Sequence, residues 1–235
     1  MQQILITGSN RGIGLAIVKE YLSRGDVHIF ATCRNPDSAD DLQTLKRENP
    51  GSLTIVKLDV NDNDSIKQAR EQVGSATSQL DVLINNAGIY PKTPENISFG
   101  DLSRDALSHV ITTNSVSPVM VTQAFVDLLK QGNNPRIAMI SSQMGSITRA
   151  SGSGFSYRMS KVSMNMAAKV LSNILIADGI IVITTHPGWV STDMGGSSAP
   201  VKPAESAAGL VNVIESLTPE QNGKFYDYTG AEFPW

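Results

Sequence analysis

Seven short apolar runs, each set between longer segments patterned as helices, constrain this chain more than any other feature. Ile4–Thr7 reads as a buried strand, and Gly12–Arg24 as a helix with Ile13, Ala16, Ile17 and Leu22 inward. Strand Val27–Thr32, helix Leu42–Glu48, strand Leu53–Leu58, helix Ser65–Gln72 and strand Val82–Ile84 follow. Asn49-Pro50-Gly51 is a strong breaker after the second helix. A long helix over Ser103–Lys130, strand Arg136–Ser141 and a second long helix over Ser156–Ala177 come next. Strand Ile180–Thr185, helix Ala204–Leu217 and short strand Lys224–Tyr226 complete the order. Apolar strands alternating with helices imply a parallel sheet covered on both faces. The expectation is one α/β domain over residues 1–235, a doubly wound parallel sheet. The loops Tyr90–Gly100 and Gly195–Pro203, rich in Gly, Pro, Ser and Asn, are its expected mobile segments.

A chain of 235 residues buries enough surface to fold without disulfides or metal. Its net charge of -3 gives no electrostatic case for nucleic acid or an anionic membrane. Apolar stretches are broken within about ten residues, too short to span a bilayer. The start, Met1-Gln2-Gln3-Ile4, lacks the basic region of a signal peptide, and Cys33 has no partner cysteine, so a cytoplasmic location is expected. His28, His109 and His186 lack metal-type spacing, and no metal is expected. Met159, Met164 and Met166 read as packing residues along the second long helix.

Thr7-Gly8-Ser9-Asn10-Arg11-Gly12-Ile13-Gly14 joins the first strand to the first helix. Glycines there permit a tight turn and let a phosphate approach the backbone, where the helix N-terminus offers free N–H groups and a favourable dipole. At the first strand–helix junction this cluster points to dinucleotide binding, although the spacing is not G-x-G-x-x-G. Tyr157 and Lys161 stand four apart, on one face of a helix. A lysine beside a phenol favours the phenolate, which makes the tyrosine a proton donor or acceptor for a carbonyl or alcohol. Such pairs also arise by chance, so the rest of the chain must decide.

The glycine spacing, Asn85-Asn86-Ala87-Gly88 and Tyr157-x3-Lys161 together resemble the short-chain dehydrogenase/reductase family, from Thr7 to about Met194. Tyr157-Arg158-Met159-Ser160-Lys161 and the run His186–Gly196 resemble in particular its small carbonyl reductases of the sniffer and C-factor type. The resemblance implies a Rossmann-type sheet and a catalytic tetrad. Tyr157 would be the acid/base and also a cofactor contact, and Lys161 would lower its pKa and bond the nicotinamide ribose. Ser142 would hold the substrate oxygen, chosen because the family's serine usually ends such an Ile-Ser-Ser run; Ser141 is the alternative. Asn114 would anchor a water in a proton relay to Lys161, where the plainer reading is a mid-helix kink.

The cofactor contacts implied by the resemblance begin at the glycine turn, with Gly8, Asn10, Arg11, Gly12, Ile13 and Gly14. Asp59 and Val60 would meet the adenine, and Asn85, Ala87 and Gly88 the adenosine ribose and pyrophosphate. An Asn-Asn-Ala-Gly turn also stabilises a central sheet by itself. Pro187, Gly188, Val190 and Thr192 would approach the nicotinamide. Trp189 either packs behind this loop or walls the substrate pocket. No acid stands at the end of the second strand to bond a ribose 2′-OH; Cys33-Arg34-Asn35 does. Arg34 and Arg11 suit a 2′-phosphate, so NADP(H) is expected over NAD(H).

The reading is an NADPH-dependent reductase of a ketone or aldehyde, with a small-molecule carbonyl or alcohol as its partner. The rivals are an NADP-binding sensor or signalling protein and an NAD-linked alcohol dehydrogenase. In the resembling family the two long helices pair subunits, so a homodimer or homotetramer is expected. The substrate pocket is expected from the loops Gly145–Phe155, Ile89–Pro94 and Gly195–Pro203.

Overall fold

Side-chain alternation decides how the sheet is covered. The computed structural model describes residues 1–235. Seven strands, β1 (Gln2–Ile6), β2 (Val27–Cys33), β3 (Leu53–Lys57), β4 (Val82–Asn85), β5 (Arg136–Ile140), β6 (Ile181–His186) and β7 (Phe225–Asp227), form one sheet. Its order is β3-β2-β1-β4-β5-β6-β7, and every pairing is parallel. In register, Ile4 stands between Ile29 and Val82, and Leu5 between Phe30 and Leu83. Successive residues point to opposite faces. Ile4, Ile6, Ile29 and Ile84 therefore enter one core with helices α1 (Gly12–Arg24), α2 (Asp40–Glu48) and α8 (Pro203–Glu215). Leu5, Phe30, Leu83 and Met139 enter the other, with α3 (Asn63–Ala76), α6 (Ser117–Leu129) and α7 (Phe155–Leu175). Burying one such side chain contributes roughly 2 kcal/mol, so a one-residue slip of register is strongly penalised.

The expected helix over Ser103–Lys130 is three segments. After α4 (Pro94–Ile97), a single turn inside a stretch read as loop, α5 (Arg104–Ile111) runs into a π-helical turn at Thr112–Val116 and then α6. Pro118 explains the break, because it has no N–H to give the Asn114 carbonyl four residues back and its ring crowds that oxygen. The methionine reading also needs correction. Met164 is buried, but Met159 and Met166 are exposed. No helix is long and apolar enough to cross a membrane.

Crossovers leave the β1–β4 boundary in opposite directions. Ligands of open α/β sheets bind at such a switch point, beyond the carboxyl ends of the strands. The glycine turn after β1, the turn after β4 and the loops after β5 and β6 all lie there.

Candidate active site

The glycine turn is tied in place from two sides. Ser9 N–H donates to the Thr32 carbonyl, joining the turn to the end of β2 two residues before Arg34. Asn86 Nδ2 donates to the carbonyls of Thr7 (2.9 Å) and Gly8 (3.1 Å). Thr7 Oγ1 accepts from the N–H groups of Asn86 and Ala87. Gly8 and Gly12 have φ of +67° and +56°, and a Cβ on Gly14 would stand 2.2 Å from the Gly8 oxygen. These positions therefore demand glycine. Arg11, the N-cap of α1, makes no side-chain cap, so the first-turn N–H groups keep no side-chain partner. Ile13 packs against the first core, and Asn10 is exposed.

Asn86 and Thr7 were missed as site residues, although Asn86 stands inside the recognised turn. The Asn85 side chain is buried and donates to Thr122 Oγ1 on α6 (3.0 Å), the sheet-bracing role that such a turn also allows. Ala87 and Gly88 border the crevice. A Cβ on Ala87's neighbour Gly88 would lie 3.1 Å from Asn114 Oδ1 and 3.7 Å from Lys161 Nζ. Asp59, half-buried at the end of β3, accepts from Asn61 N–H, and Val60 packs on the second core.

The residues proposed as catalytic converge at the carboxyl ends of β4 and β5. Tyr157 and Lys161 share one face of α7, with Nζ 5.6 Å from the phenol ring centroid. Ser142 Oγ accepts from Met144 N–H (3.1 Å), and its hydroxyl lies near enough to the Tyr157 phenol to favour the phenolate. The Ser141 hydroxyl points elsewhere, donating to Asn165 Oδ1 at 2.6 Å. Asn165 Nδ2 in turn holds the Gly145 carbonyl. Asn114, buried in the π turn, accepts from Ile89 N–H (2.8 Å) and donates to the Ile89 carbonyl and Ser160 Oγ (both 2.9 Å). Its side chain is thus engaged at both ends.

Charge inside this site is expensive. Burial pushes the Tyr157 phenol up to about 12, against a downward pull from Ser142 and a further upward one from Tyr90. Burial alone brings the Lys161 ammonium down to about 7. Lys161 Nζ donates to the Ile140 carbonyl at 2.8 Å. Lys161 is not among the groups that move the phenol in this structure, where burial dominates both.

The loop after β6 closes the crevice. Gly188 has φ +82° and donates to His186 Nδ1; Pro187's carbonyl accepts from Ser206 Oγ. Val190 is buried and bridges to Val201. Thr192 faces the glycine turn, its Cγ2 3.6 Å from where a Gly12 Cβ would sit. Arg11 reaches across to Asp193 at 3.2 Å, with both side chains largely exposed. Such a pair is weak and leaves Arg11 free to exchange partners. Arg34 is exposed. Trp189 is half-exposed and donates to the Gly195 carbonyl, so it braces its own loop.

A parallel sheet of this order, with a glycine turn at its switch point and a Ser–Tyr–Lys–Asn group beside it, defines an oxidoreductase of the dehydrogenase class. Residues 2–202 match the short chain dehydrogenase family, and the chain belongs to it. It is 40% identical over 160 residues to the C-signal of Myxococcus xanthus, covering 68% of this chain and 95% of that one. The carbonyl reductase Sniffer of D. melanogaster superposes with a TM-score of 0.94 at 36% identity, over 100% of both chains. An NADPH-bound carbonyl reductase from chicken fatty liver gives a TM-score of 0.94 at 36% identity, over 100% of this chain and 99% of that one.

Proposed function

We propose that this oxidoreductase reduces a ketone or aldehyde to the alcohol with NADPH, using Tyr157 as proton donor. The observation that carries the reading is the gathering of Ser142, Tyr157 and Lys161 at the carboxyl end of β5, where burial pushes the Tyr157 phenol up to about 12. A phenol that keeps its proton at neutrality is suited to give one to a developing alkoxide. Alcohol oxidation would instead need the phenolate, which burial disfavours. Ser142 would hold the carbonyl oxygen and stabilise its growing charge. Lys161, near 7, is available to stabilise the phenolate once the proton has left and to return a proton to it. Asn114 would anchor a water in a proton relay to Lys161.

The residues present fit NADPH. The uncapped N-terminus of α1 suits a pyrophosphate. Arg34, together with Arg11 in the glycine turn and no acid at the end of β2, suits a 2′-phosphate. When bound, the dihydronicotinamide would supply the hydride. The NADPH-bound chicken reductase supports this choice.

A second reading, an NADP-binding signalling protein with little turnover, is favoured by the likeness to C-signal. A panel of ketones and aldehydes, with NADPH and NADH consumption followed in parallel, tests both. Turnover with NADPH supports the reductase; tight NADPH binding without turnover of any carbonyl favours the signalling protein; equal use of NADH favours the NAD-linked dehydrogenase.

We also propose that the chain pairs with a second copy through α7. Exposed Met159, Met166, Val170 and Ile174 recur at spacings of seven and four, one stripe along that helix.

A further inference from the structure

The loop between β5 and α7 runs from Ser141 to Gly154 and carries Ser142 at one end. Between Ile147 and Ser153 it is exposed, so packing does little to hold it. Its last residue, Gly154, is the N-cap of α7 in a left-handed conformation (φ +68°) and offers no side-chain cap. Arg158, one turn into α7, reaches back over this loop. Its Nε donates to the Ser153 carbonyl at 2.7 Å and its Nη2 to Ser151 Oγ at 2.5 Å. Its Nη1 donates to the Met144 carbonyl at 3.4 Å. Met144 N–H in turn donates to Ser142 Oγ. One planar guanidinium thus joins both ends of the loop, a fork that an ammonium cannot reproduce.

We propose that Arg158 is a positioning residue for the reductase reaction: it fastens the β5–α7 loop and so holds the Ser142 hydroxyl in its place near Tyr157. The proposal rests on the reductase reading of the site. Arg158 touches none of the reacting atoms and acts through Met144 and Ser142. The middle of the loop is held from the other side, where Thr148 N–H and Oγ1 donate to the Trp235 oxygen. Loss of Arg158 therefore frees the two ends without unfolding the middle.

The test compares wild type, R158A and R158K. Two readouts are NADPH-driven reduction of para-nitrobenzaldehyde, and amide exchange of residues 143–154 without cofactor. R158A is expected to lower kcat/KM on the order of tenfold or more, to speed exchange at Gly145 and Ser146, and to leave NADPH affinity unchanged. The alkaline limb of its pH–rate profile is expected to move upward, because Ser142 pulls the phenol down. R158K is expected to recover part of kcat. Unchanged kinetics, or NADPH affinity and melting temperature falling in parallel with activity, would overturn the proposal. If wild type shows no turnover, the reductase reading fails. Loop exchange then still decides the fastening, since equal exchange in R158A and wild type overturns it.

Discussion

The ring of Tyr90 lies 4.5 Å from that of Tyr157, centroid to centroid, with the planes tilted by 30°. Tyr90 follows Ile89, whose N–H and carbonyl are both held by Asn114. One asparagine therefore sets the aromatic cover over the phenol as well as its place beside Ser160. Because this cover helps keep water from Tyr157, Tyr90→Ala is expected to lower the phenol from about 12. Tyr90→Phe, which keeps the ring, should lower it less. Phenolate absorbance, taken as the difference from the same protein carrying Tyr157→Phe, measures both. No shift in Tyr90→Ala would mean that the helix and sheet alone bury the group.

Arg34 is the exposed cation at the end of β2. Removing a charge-assisted contact to a 2′-phosphate costs about 1.5–3 kcal/mol, roughly tenfold to a hundredfold in affinity. Arg34→Ala is expected to weaken NADPH by that factor and leave NADH unchanged, as read by calorimetry or fluorescence. Equal losses for both cofactors would remove the argument from the missing acid. Arg11, already shared with Asp193, is expected to contribute less.

His186 supplies a pH dependence of stability. It is buried, its Nδ1 accepts from Gly188 N–H, and its Nε2 has no partner. Burial lowers it from 6.5 to about 4. Between those values the unfolded chain binds a proton that the folded chain refuses, so stability falls as pH falls through that window. The full loss is on the order of 3 kcal/mol. His186→Asn keeps an acceptor for Gly188 but cannot titrate. Its melting temperature is expected to change less than that of wild type between pH 6.5 and about 4.

The apolar stripe on α7 predicts association. Met166→Lys with Ile174→Lys places charges on that stripe without entering either core. Light scattering on a sizing column is expected to give a dimer or tetramer for wild type and a monomer for the double variant. A monomeric wild type would contradict the pairing.

The sheet was legible because both faces of each strand are apolar and each run is short. Ile4 and Leu5 had to find separate cores whatever their neighbours. The break in the long helix was legible only in part. Pro118 announces it, but only the structure shows a π turn that carries Asn114. Tyr157 and Lys161 could be placed on one face from their spacing, yet their protonation could not. The burial that moves both groups comes from Ile140, Tyr90 and the turn after β4, far away in sequence. Asn85 and Asn86 show the same limit. Adjacent and chemically identical, they point to opposite sides of the turn, and only the backbone path decides which one braces the glycine loop.

The most direct test of the account replaces Tyr157 with Phe and measures NADPH binding and carbonyl reduction on the same sample. The ring and its packing on Tyr90 remain, and only the hydroxyl with its proton is lost. NADPH affinity is expected to stay within about twofold of wild type while kcat falls a hundredfold or more, the usual scale of general-acid catalysis. Retention of most of kcat by Tyr157→Phe would contradict the account, because the proton would then come from another group.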